Sequence, residues 1–389
     1  MLPFEYSSLA DANDAKQLGR ILAQCFNSPP DREGTYLNRI GWENFRVIRQ
    51  ADQMAGGLAG IPMGQWWGQQ CIPMVGVAAV GIAPEYRGSG AAIALLQHLL
   101  RELHANGTPI SVLYPATQRL YRKVGYEQGG AHHSWEIATD AIQLKDRSMP
   151  LQRVAIDAQP IRDLYAQQAM LSNGYLKRHS AIWQGLTDAN SDAVYAYLVG
   201  EPESPQGYVL FSQRQDGDGA KIRIRDWVAL SVDAARRLWT FMADHRSQIS
   251  SIRWSGGAVD PLLLPLPEQS ARIRSMMYWL LRIVHVKAAL EQRGYPPNLQ
   301  VELHLSIDDE LLPENTGRYI LSVANGRGEV TQGGNGDMTL NIRGLAPLYT
   351  GLYTPQQLQL TGYLDATETA LATASQLFSG TSPWMPDFF

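Results

Sequence analysis

The stretch that decides the fold is Val80-Gly-Ile-Ala-Pro-Glu-Tyr-Arg-Gly-Ser-Gly-Ala-Ala-Ile-Ala-Leu-Leu96, an apolar run that passes through an Arg/Gly-rich turn into a helix. Arg87, Gly90 and Ala92 fit the pattern Arg-x-x-Gly-x-Gly/Ala, in which successive backbone N–H groups at a helix start form a concave anion site. Beyond the turn, Ile93, Leu96, Leu99, Leu100 and Leu103 fall on one helical face, with Gln97, Arg101 and Glu102 on the other. Asn106-Gly107 then stops the helix. Such a helix lies on a sheet.

The flanking sequence supplies that sheet. Residues 11–26 read as a helix through Ala15, Leu18, Ile21, Leu22 and Phe26, with Asp11 or Asn13 as its cap. Strand-like runs at 45–49, 57–63 and 75–82 are separated by the turn-rich Asp52-Gln-Met54 and Gly64-Gln-Trp-Trp-Gly68. Downstream come a buried strand, Ile110-Ser-Val-Leu-Tyr114, a helical segment at 117–124 and a closing strand near 134–137.

A chain of 389 residues is too long for one core at about 150 residues per domain, and three domains fit it best. With 45% hydrophobic and 18% charged residues, its composition is that of a soluble globular protein. A net charge of −4 without a basic arm argues against nucleic acid as partner. The N-terminus lacks a basic region followed by an apolar core, and no run approaches about 18 uninterrupted apolar residues. A cytoplasmic protein with no membrane partner is expected. Cys25 and Cys71 are too few for a disulfide framework or a four-ligand zinc site and read as free thiols. The histidines show no ligand spacing, and the consecutive His132 and His133 face opposite ways on a strand, so no metal is expected.

Residues 149–282 repeat the order of elements. Helical stretches at 161–171 and 176–183 precede strands at 194–199, 207–212 and 221–229, a helix over 231–245 and a strand at 252–254. Its helix begins Leu230-Ser-Val-Asp-Ala-Ala-Arg236, with no glycine turn, and a side chain such as Asp233 would stand where the anion binds. The third segment, 283–389, opens with a helix at 284–293 stopped by Gly294-Tyr-Pro-Pro297. Leu299, Val301, Leu303, Leu305 and Ile307 then alternate with polar neighbours, further strands follow at 318–323, 329–331 and 338–342, and helices at 345–352, 354–360 and 366–378 close the chain.

The strand with Val80 and Ile82, the Arg87-Gly-Ser-Gly-Ala-Ala92 turn and Leu120-Tyr-Arg-Lys-Val-Gly-Tyr126 resemble the GCN5-related N-acetyltransferase superfamily. With a degenerate copy at 149–282, a sterol-carrier-like domain at 283–389, the run Leu311-Leu-Pro-Glu-Asn-Thr-Gly-Arg-Tyr319 and the ending Trp384-Met-Pro-Asp-Phe-Phe389, the chain resembles the Eis (enhanced intracellular survival) family over essentially its whole length. The resemblance implies a mixed α/β (α+β) protein: an active acetyltransferase fold at 1–148, its degenerate copy, and a sterol-carrier-like α+β domain whose C-terminus enters the active site. It implies acetyl-CoA as co-substrate. Arg87, Gly88, Ser89, Gly90, Ala91 and Ala92 would hold its pyrophosphate, and the backbones of Val80 and Ile82 its pantetheine, as an added pseudo-strand. It implies Tyr121 as the acid that protonates the thiolate, and a homo-oligomer, in the form of a hexamer.

Acetyl transfer to an alkylamine needs a proton acceptor, because an amine of pKa near 10.4 is only about 0.04% neutral at pH 7. Residues 72–84 contain no Asp or Glu, and Glu85 follows Pro84 out of the groove. The candidates are therefore Asp387, His132 or His133, and the α-carboxylate of Phe389. The tail is stiff, aromatic and apolar, so exposing it would forfeit several kcal/mol of burial, and the family resemblance implies the terminal carboxylate as the base.

The expected acceptor is a primary amine: an aminoglycoside, a polyamine or a lysine. Asn27 and Ser28 stand where the resemblance would place an acid, Asp31, Glu33 or Asp387 could substitute, and Trp66-Trp67 could stack on an acceptor. The competing reading is a lipid- or CoA-binding carrier with a vestigial acetyltransferase half.

Overall fold

In a computed structural model the chain is described at residues 4–188, 192–217 and 219–389, without the side chains of residues 30–33 and 216. It divides into two compact units. The first takes the chain up to Gly130, then Tyr278–Thr381 and Phe389; the second takes Ala131–Met277 and Ser382–Phe388.

The chain begins β1 (Glu5–Ser8), α1 (Ala12–Phe26), α2 (Pro30–Ile40), β2 (Phe45–Gln50), β3 (Gln53–Trp67), β4 (Gln70–Ile82), α3 (Ala91–Ala105), β5 (Ile110–Leu113), α4 (Gln118–Arg122) and β6 (Glu127–Ala138). Asp11 caps α1, accepting from the Asn13 and Asp14 amides at 2.9 Å each; Asn13 lies inside the helix. β1 to β4 form an antiparallel meander, and after the α3 crossover β5 pairs parallel with β4. Leu95, Leu96, Leu99, Leu100 and Leu103 of α3 are buried and pack with Val75, Val77 and Leu113; four of them lie on the face that the sequence periodicity marks, while Ile93 is only partly buried and Leu95 joins the core instead. One expected turn is strand instead. β3 runs on through Gly64 to Trp67, because Trp67 is fully buried against Trp279 and Tyr349. Packing overrides the local turn signal.

Two features of β4 open one of its edges. Its parallel pairing with β5 covers only Met74–Val77 against Ile110–Leu113. Just beyond, Gly57 faces Gly81 and Ala59 faces Ala78, so Leu58 alone opposes Ala79 and Val80. This is a bulge, with Ala79 at φ +49°, and a bulge bends its strand and re-aims the side chains around it. β4 and β5 therefore part after Val77, leaving residues 78–82 of β4 unpaired on that side among the described residues.

The second set of elements is β7 (Leu151–Val154), α5 (Gln159–Met170), β8 (Leu176–Lys177), α6 (Ser180–Thr187), β9 (Val194–Glu201), β10 (Ser204–Asp216), β11 (Gly219–Ala229), α7 (Val232–Ala243), β12 (Ile249–Gly256) and β13 (Arg272–Ile283). The single helix expected at 176–183 is a short strand followed by α6, which His179 caps. β7, β9, β10 and β11 are antiparallel neighbours, and β12 joins β11 in parallel after α7. The bulge recurs: Leu210 faces Asp226 and Phe211 faces Ile224, which leaves Arg225 extra, just past the end of β11–β12 pairing at Arg223. In the first unit the place after β5 is taken by Leu280–Ile283 of β13; in the second, the place after β12 is taken by His133–Ala138 of β6.

The rest comprises α8 (Val286–Gln292), β14 (Gln300–Asp308), β15 (Gly317–Ala324), β16 (Arg327–Gln332), β17 (Met338–Asn341), α9 (Ile342–Thr350), α10 (Pro355–Leu360), β18 (Leu364–Ala366) and α11 (Glu368–Leu377). The sheet order is β16-β15-β14-β17-β18, and Leu303, Leu305 and Ile307 point into its core. The 311–319 run is structural. Asn315 Nδ2 donates to the Val284 carbonyl and to Asp309, both at 2.9 Å, and Asp309 accepts from Arg282 Nη2 at 2.7 and 2.8 Å. Arg282 is fully buried and also donates to the Val124 carbonyl at 3.1 Å, bracing the turn after α4.

Candidate active site

The turn before α3 is built by glycine. Pro84–Tyr86 make one 3-10 turn, and Gly88 and Gly90 then take φ +81° and +92°, which L side chains rarely adopt. A Cβ at either position would meet nothing within 4 Å, so the requirement is backbone conformation and the space above the turn is open. Gly90 is the N-cap of α3 and supplies no side-chain cap. The Ser89 hydroxyl donates to the Tyr86 carbonyl at 2.6 Å and accepts weakly from Ala91 N–H at 3.4 Å. The next first-turn amides, of Ala92 and Ile93, have no helical acceptor by geometry, so the positive end of the helix faces open space.

Arg87 is exposed beside this turn and has no carboxylate partner among the described residues. Its Nε donates to the Ile82 carbonyl at 3.4 Å and its Nη2 lies 3.7 Å from Cys25 Sγ. Cys25 in turn donates to the Ile82 carbonyl at 3.3 Å. The Ile82 carbonyl thus already has two protein donors, while Val80 sits half-buried in the bulge on the unpaired edge.

Tyr121 lies on α4 and is 5% exposed. Its ring meets Tyr126 edge-on at 6.1 Å, and its hydroxyl has no hydrogen-bond partner among the described residues. Burial pushes the phenol up to about 12. Tyr126 differs: its hydroxyl is 2.7 Å from Ser111 Oγ, which donates to the Val75 carbonyl at 2.9 Å. Tyr126 is a core tie, whereas Tyr121 keeps a free donor.

The terminal Phe389 belongs to the first unit. Its ring lies 6.1 Å from that of Tyr114, just past the end of β5, and a Cβ on Gly76 would sit 2.6 Å from its Cε2. Gly76 faces Val112 one step before the β4–β5 pairing ends. Phe389 therefore rests where the two strands part. Gly76 is a site residue absent from the sequence candidates; a glycine within a strand marks a close approach.

Similarity to known proteins agrees with this geometry. Residues 7–129 and 174–283 each match an acetyltransferase (GNAT) domain family, and 286–386 match a sterol carrier protein domain family. A crystal structure of a GCN5-related N-acetyltransferase from Anabaena variabilis is 56% identical, covers 100% of both chains and superposes with a TM-score of 0.97. The chain belongs to the GCN5-related N-acetyltransferases.

A second such acetyltransferase, from Kribbella flavida, is 27% identical over 100% of this chain and 98% of its own, with a TM-score of 0.87. The N-acetyltransferase Eis of Mycobacterium tuberculosis is 25% identical over 78% of this chain and 77% of its own. The protein is an N-acetyltransferase with tandem acetyltransferase folds and a sterol-carrier-type domain.

Within this acetyltransferase the other sequence candidates fall in different places. Asp387 is buried, and its two oxygens share the single Nε–H of Arg178, at 2.8 and 3.0 Å. Burial pushes its carboxyl up against the pull of Arg178, and the two-oxygen contact fits the ionised, fully engaged form. His132 Nε2 is 2.9 Å from Ser255 Oγ, and buried His133 has no partner for Nδ1 among the described residues. Burial holds both imidazoles below their ordinary value, hence neutral at pH 7. Of the three base candidates, Phe389 is the one that rests against β4.

Asn27 ends α1 in a left-handed conformation, φ +51°. Asp31 and Glu33 fall on α2, where the side chains lie outside the described set. Trp67 is core, with its Nε1 donating to Gln65 at 3.2 Å, and is no wall for an acceptor. In the second fold Ser231, rather than Asp233, caps α7, accepting from the Ala234 amide at 3.2 Å, while Asp233 is exposed in its first turn. Among the described residues no three His, Cys, Asp or Glu side chains group as a metal site, and no helix is long and apolar enough to cross a membrane.

Proposed function

We propose that this acetyltransferase moves the acetyl group of acetyl-CoA to a primary amine, of aminoglycoside, polyamine or lysine type, at one working site in the 1–148 domain. The 149–282 domain is then a scaffold, and the 283–389 domain delivers the C-terminus. On the family resemblance the enzyme works in the cytoplasm as a homo-oligomer, a hexamer. The observation that carries this reading is the packing of Phe389 on Gly76, where β4 and β5 part. It supports the reading because the last residue's ring lies against β4 just before that strand bulges and loses its β5 partner.

The residues fit the co-substrate. Arg87 and the amides of Gly88, Ser89, Gly90, Ala91 and Ala92 would bind a pyrophosphate in the open space over the turn. The unpaired edge at Val80 and Ile82 would bind an amide-bearing arm as an added strand; at Ile82 the amide is the better candidate, since its carbonyl is already bonded. Acetyl-CoA would supply the activated acyl group and leave as the thiol.

The Phe389 carboxylate accepts the proton that the nitrogen sheds as its bond to carbon forms, when that nitrogen becomes acidic. The Tyr121 hydroxyl, at about 12, stays protonated through the physiological range and donates to the departing sulfur. Full transfer to a thiolate of ordinary pKa near 8.5 is uphill by about 3.5 units, and becomes level only when the same burial raises the thiol as well. Stabilising developing charge by a hydrogen bond is thus the larger part of the role of Tyr121.

The test is a protein extended by one alanine after Phe389. Its kcat falls by about 10²–10⁴-fold, the usual worth of a positioned acid or base, with KM for acetyl-CoA nearly unchanged. Full turnover in the extended protein would remove Phe389 from the mechanism.

A further inference from the structure

The residues just before Phe389 are held by a buried ionic network that takes no part in the proton transfers proposed for Phe389 and Tyr121. Asp387 is 3% exposed, and besides the shared Nε–H of Arg178 it faces the Tyr165 hydroxyl at 3.3 Å, whose shorter bond, at 2.9 Å, goes to the Leu176 carbonyl. Arg178 has a fully buried side chain, and its Nη1 donates to Asp226 Oδ2 at 2.5 Å. Its guanidinium carbon lies 3.6 Å from the centre of the Tyr165 ring and 4.6 Å from that of Trp183. Tyr208 donates to the same Asp226 oxygen at 2.7 Å, and Asp226 sits at the β11 bulge. One guanidinium thus serves two buried carboxylates. Burial alone would loosen its proton, and Asp226 with Asp387 more than offsets that.

Mere anchorage does not call for this. Taking three charges out of water is costly, and an apolar cluster of the same size would hold a tail as firmly. Apolar anchors are already present: Met385 is fully buried, and Trp384 packs edge-on against Tyr175 at 4.9 Å. What the guanidinium adds is direction: with Nη1 fixed on Asp226, its rigid plane aims the single Nε–H between the two Asp387 oxygens and so sets which way that carboxylate faces as well as its distance. Only Phe388 separates Asp387 from the terminus, and it is 62% exposed. Two residues span at most about 7 Å of chain, so the hold on Asp387 governs where the last carboxylate can go.

We propose that Arg178, seated on the bulge carboxylate Asp226, is a positioning residue for acetyl transfer: its grip on Asp387 orients the Phe389 carboxylate. The proposal rests on the reading of Phe389 as base. It assigns the second acetyltransferase fold a task in catalysis, with its own bulge refitted as the receptor for the tail.

The experiment compares four proteins by steady-state kinetics and thermal melting: wild type, Asp387→Asn, the one-alanine extension, and the two changes combined. Asp387→Asn lowers kcat by about 10²-fold, the cost of misplacing a reacting group by roughly 1 Å, and leaves KM for acetyl-CoA within about twofold. Added to the extended protein it costs nothing further, because the base is already lost. Asp387→Glu keeps the charge but shifts the grip by one methylene, lowers kcat with a melting temperature near wild type, and stands in should Asp387→Asn not fold. An unchanged kcat in the folded variant beside an inactive extension overturns the proposal. So does an equal proportional loss in both backgrounds, which marks a general structural effect. Full activity of the extension alone overturns the base assignment instead, and the two failures are told apart by that one protein.

Discussion

The N-termini of α3 and α7 occupy the same place in two copies of one fold and are finished in opposite ways. Both follow a bulged strand whose parallel partner stops short of the bulge. At α3 the cap is Gly90, the turn runs through two positive-φ glycines, and a cationic Arg87 stands exposed beside it. At α7 the Ser231 hydroxyl fills the cap, and Asp233 adds a negative charge to the first turn. Against a glycine cap a side-chain cap is worth only about a few tenths of a kcal/mol, so the first copy forgoes little stability in leaving its helix start open for the proposed pyrophosphate. The bulges differ in the same sense: Ala79-Val80 leaves an apolar, unpaired edge, while Arg225-Asp226 carries a carboxylate already engaged by Arg178.

The comparison breaks most sharply at Gly90. Valine cannot adopt φ +92° without strain, so Gly90→Val closes the anion site, and CoA affinity measured by calorimetry falls by at least about 10²-fold, as expected when several charge-assisted bonds are lost together. The two tyrosines come next. Tyr121→Phe lowers kcat by about 10–10²-fold with an unchanged melting temperature, since it removes a donor with no partner among the described residues. Tyr126→Phe does the reverse, losing about 1 kcal/mol of stability by denaturant titration through its broken bond to Ser111, with little effect on kcat.

Away from Arg178 and Asp226, the effects expected in the second fold are on stability alone. Burial would raise the Glu136 carboxyl, but Arg274, Arg253, Ser251 and Arg272 more than offset this and hold it down to about 2. A depressed carboxylate stabilises the fold fully above its unfolded value near 4.5 and loses that contribution as pH falls toward 2. Glu136→Gln therefore costs about 1 kcal/mol at pH 7, modest because its arginine partners are partly exposed, and the deficit shrinks when unfolding is measured at pH 3. Smallest is Ser231→Ala, with at most about 1 kcal/mol lost from the α7 cap and acetyl transfer untouched.

Much of this was legible in the sequence because it is local. The spacing of Leu96, Leu99, Leu100 and Leu103 marks α3, Asp11 marks its own cap, and the alternation at Leu303, Leu305 and Ile307 marks β14. The phosphate-type turn could be read because a positive φ demands glycine. What stayed hidden depends on partners far along the chain. The strand over 272–283 has no clean alternation, and Leu280–Ile283 are placed by pairing with β5. The bulge at Ala79 carries no glycine to announce it. Arg178 and Asp387 are 209 residues apart, and nothing local to either names the other. Gly76 left a faint signal, a lone glycine between valines, whose meaning appears only when Phe389 lies against it.

That one fold keeps its anion site and the other has closed it is tested most directly by titrating CoA into the full-length protein and counting sites by calorimetry. One site per chain is predicted, and none in Gly90→Val. Two sites per chain, or undiminished binding in Gly90→Val, would contradict it.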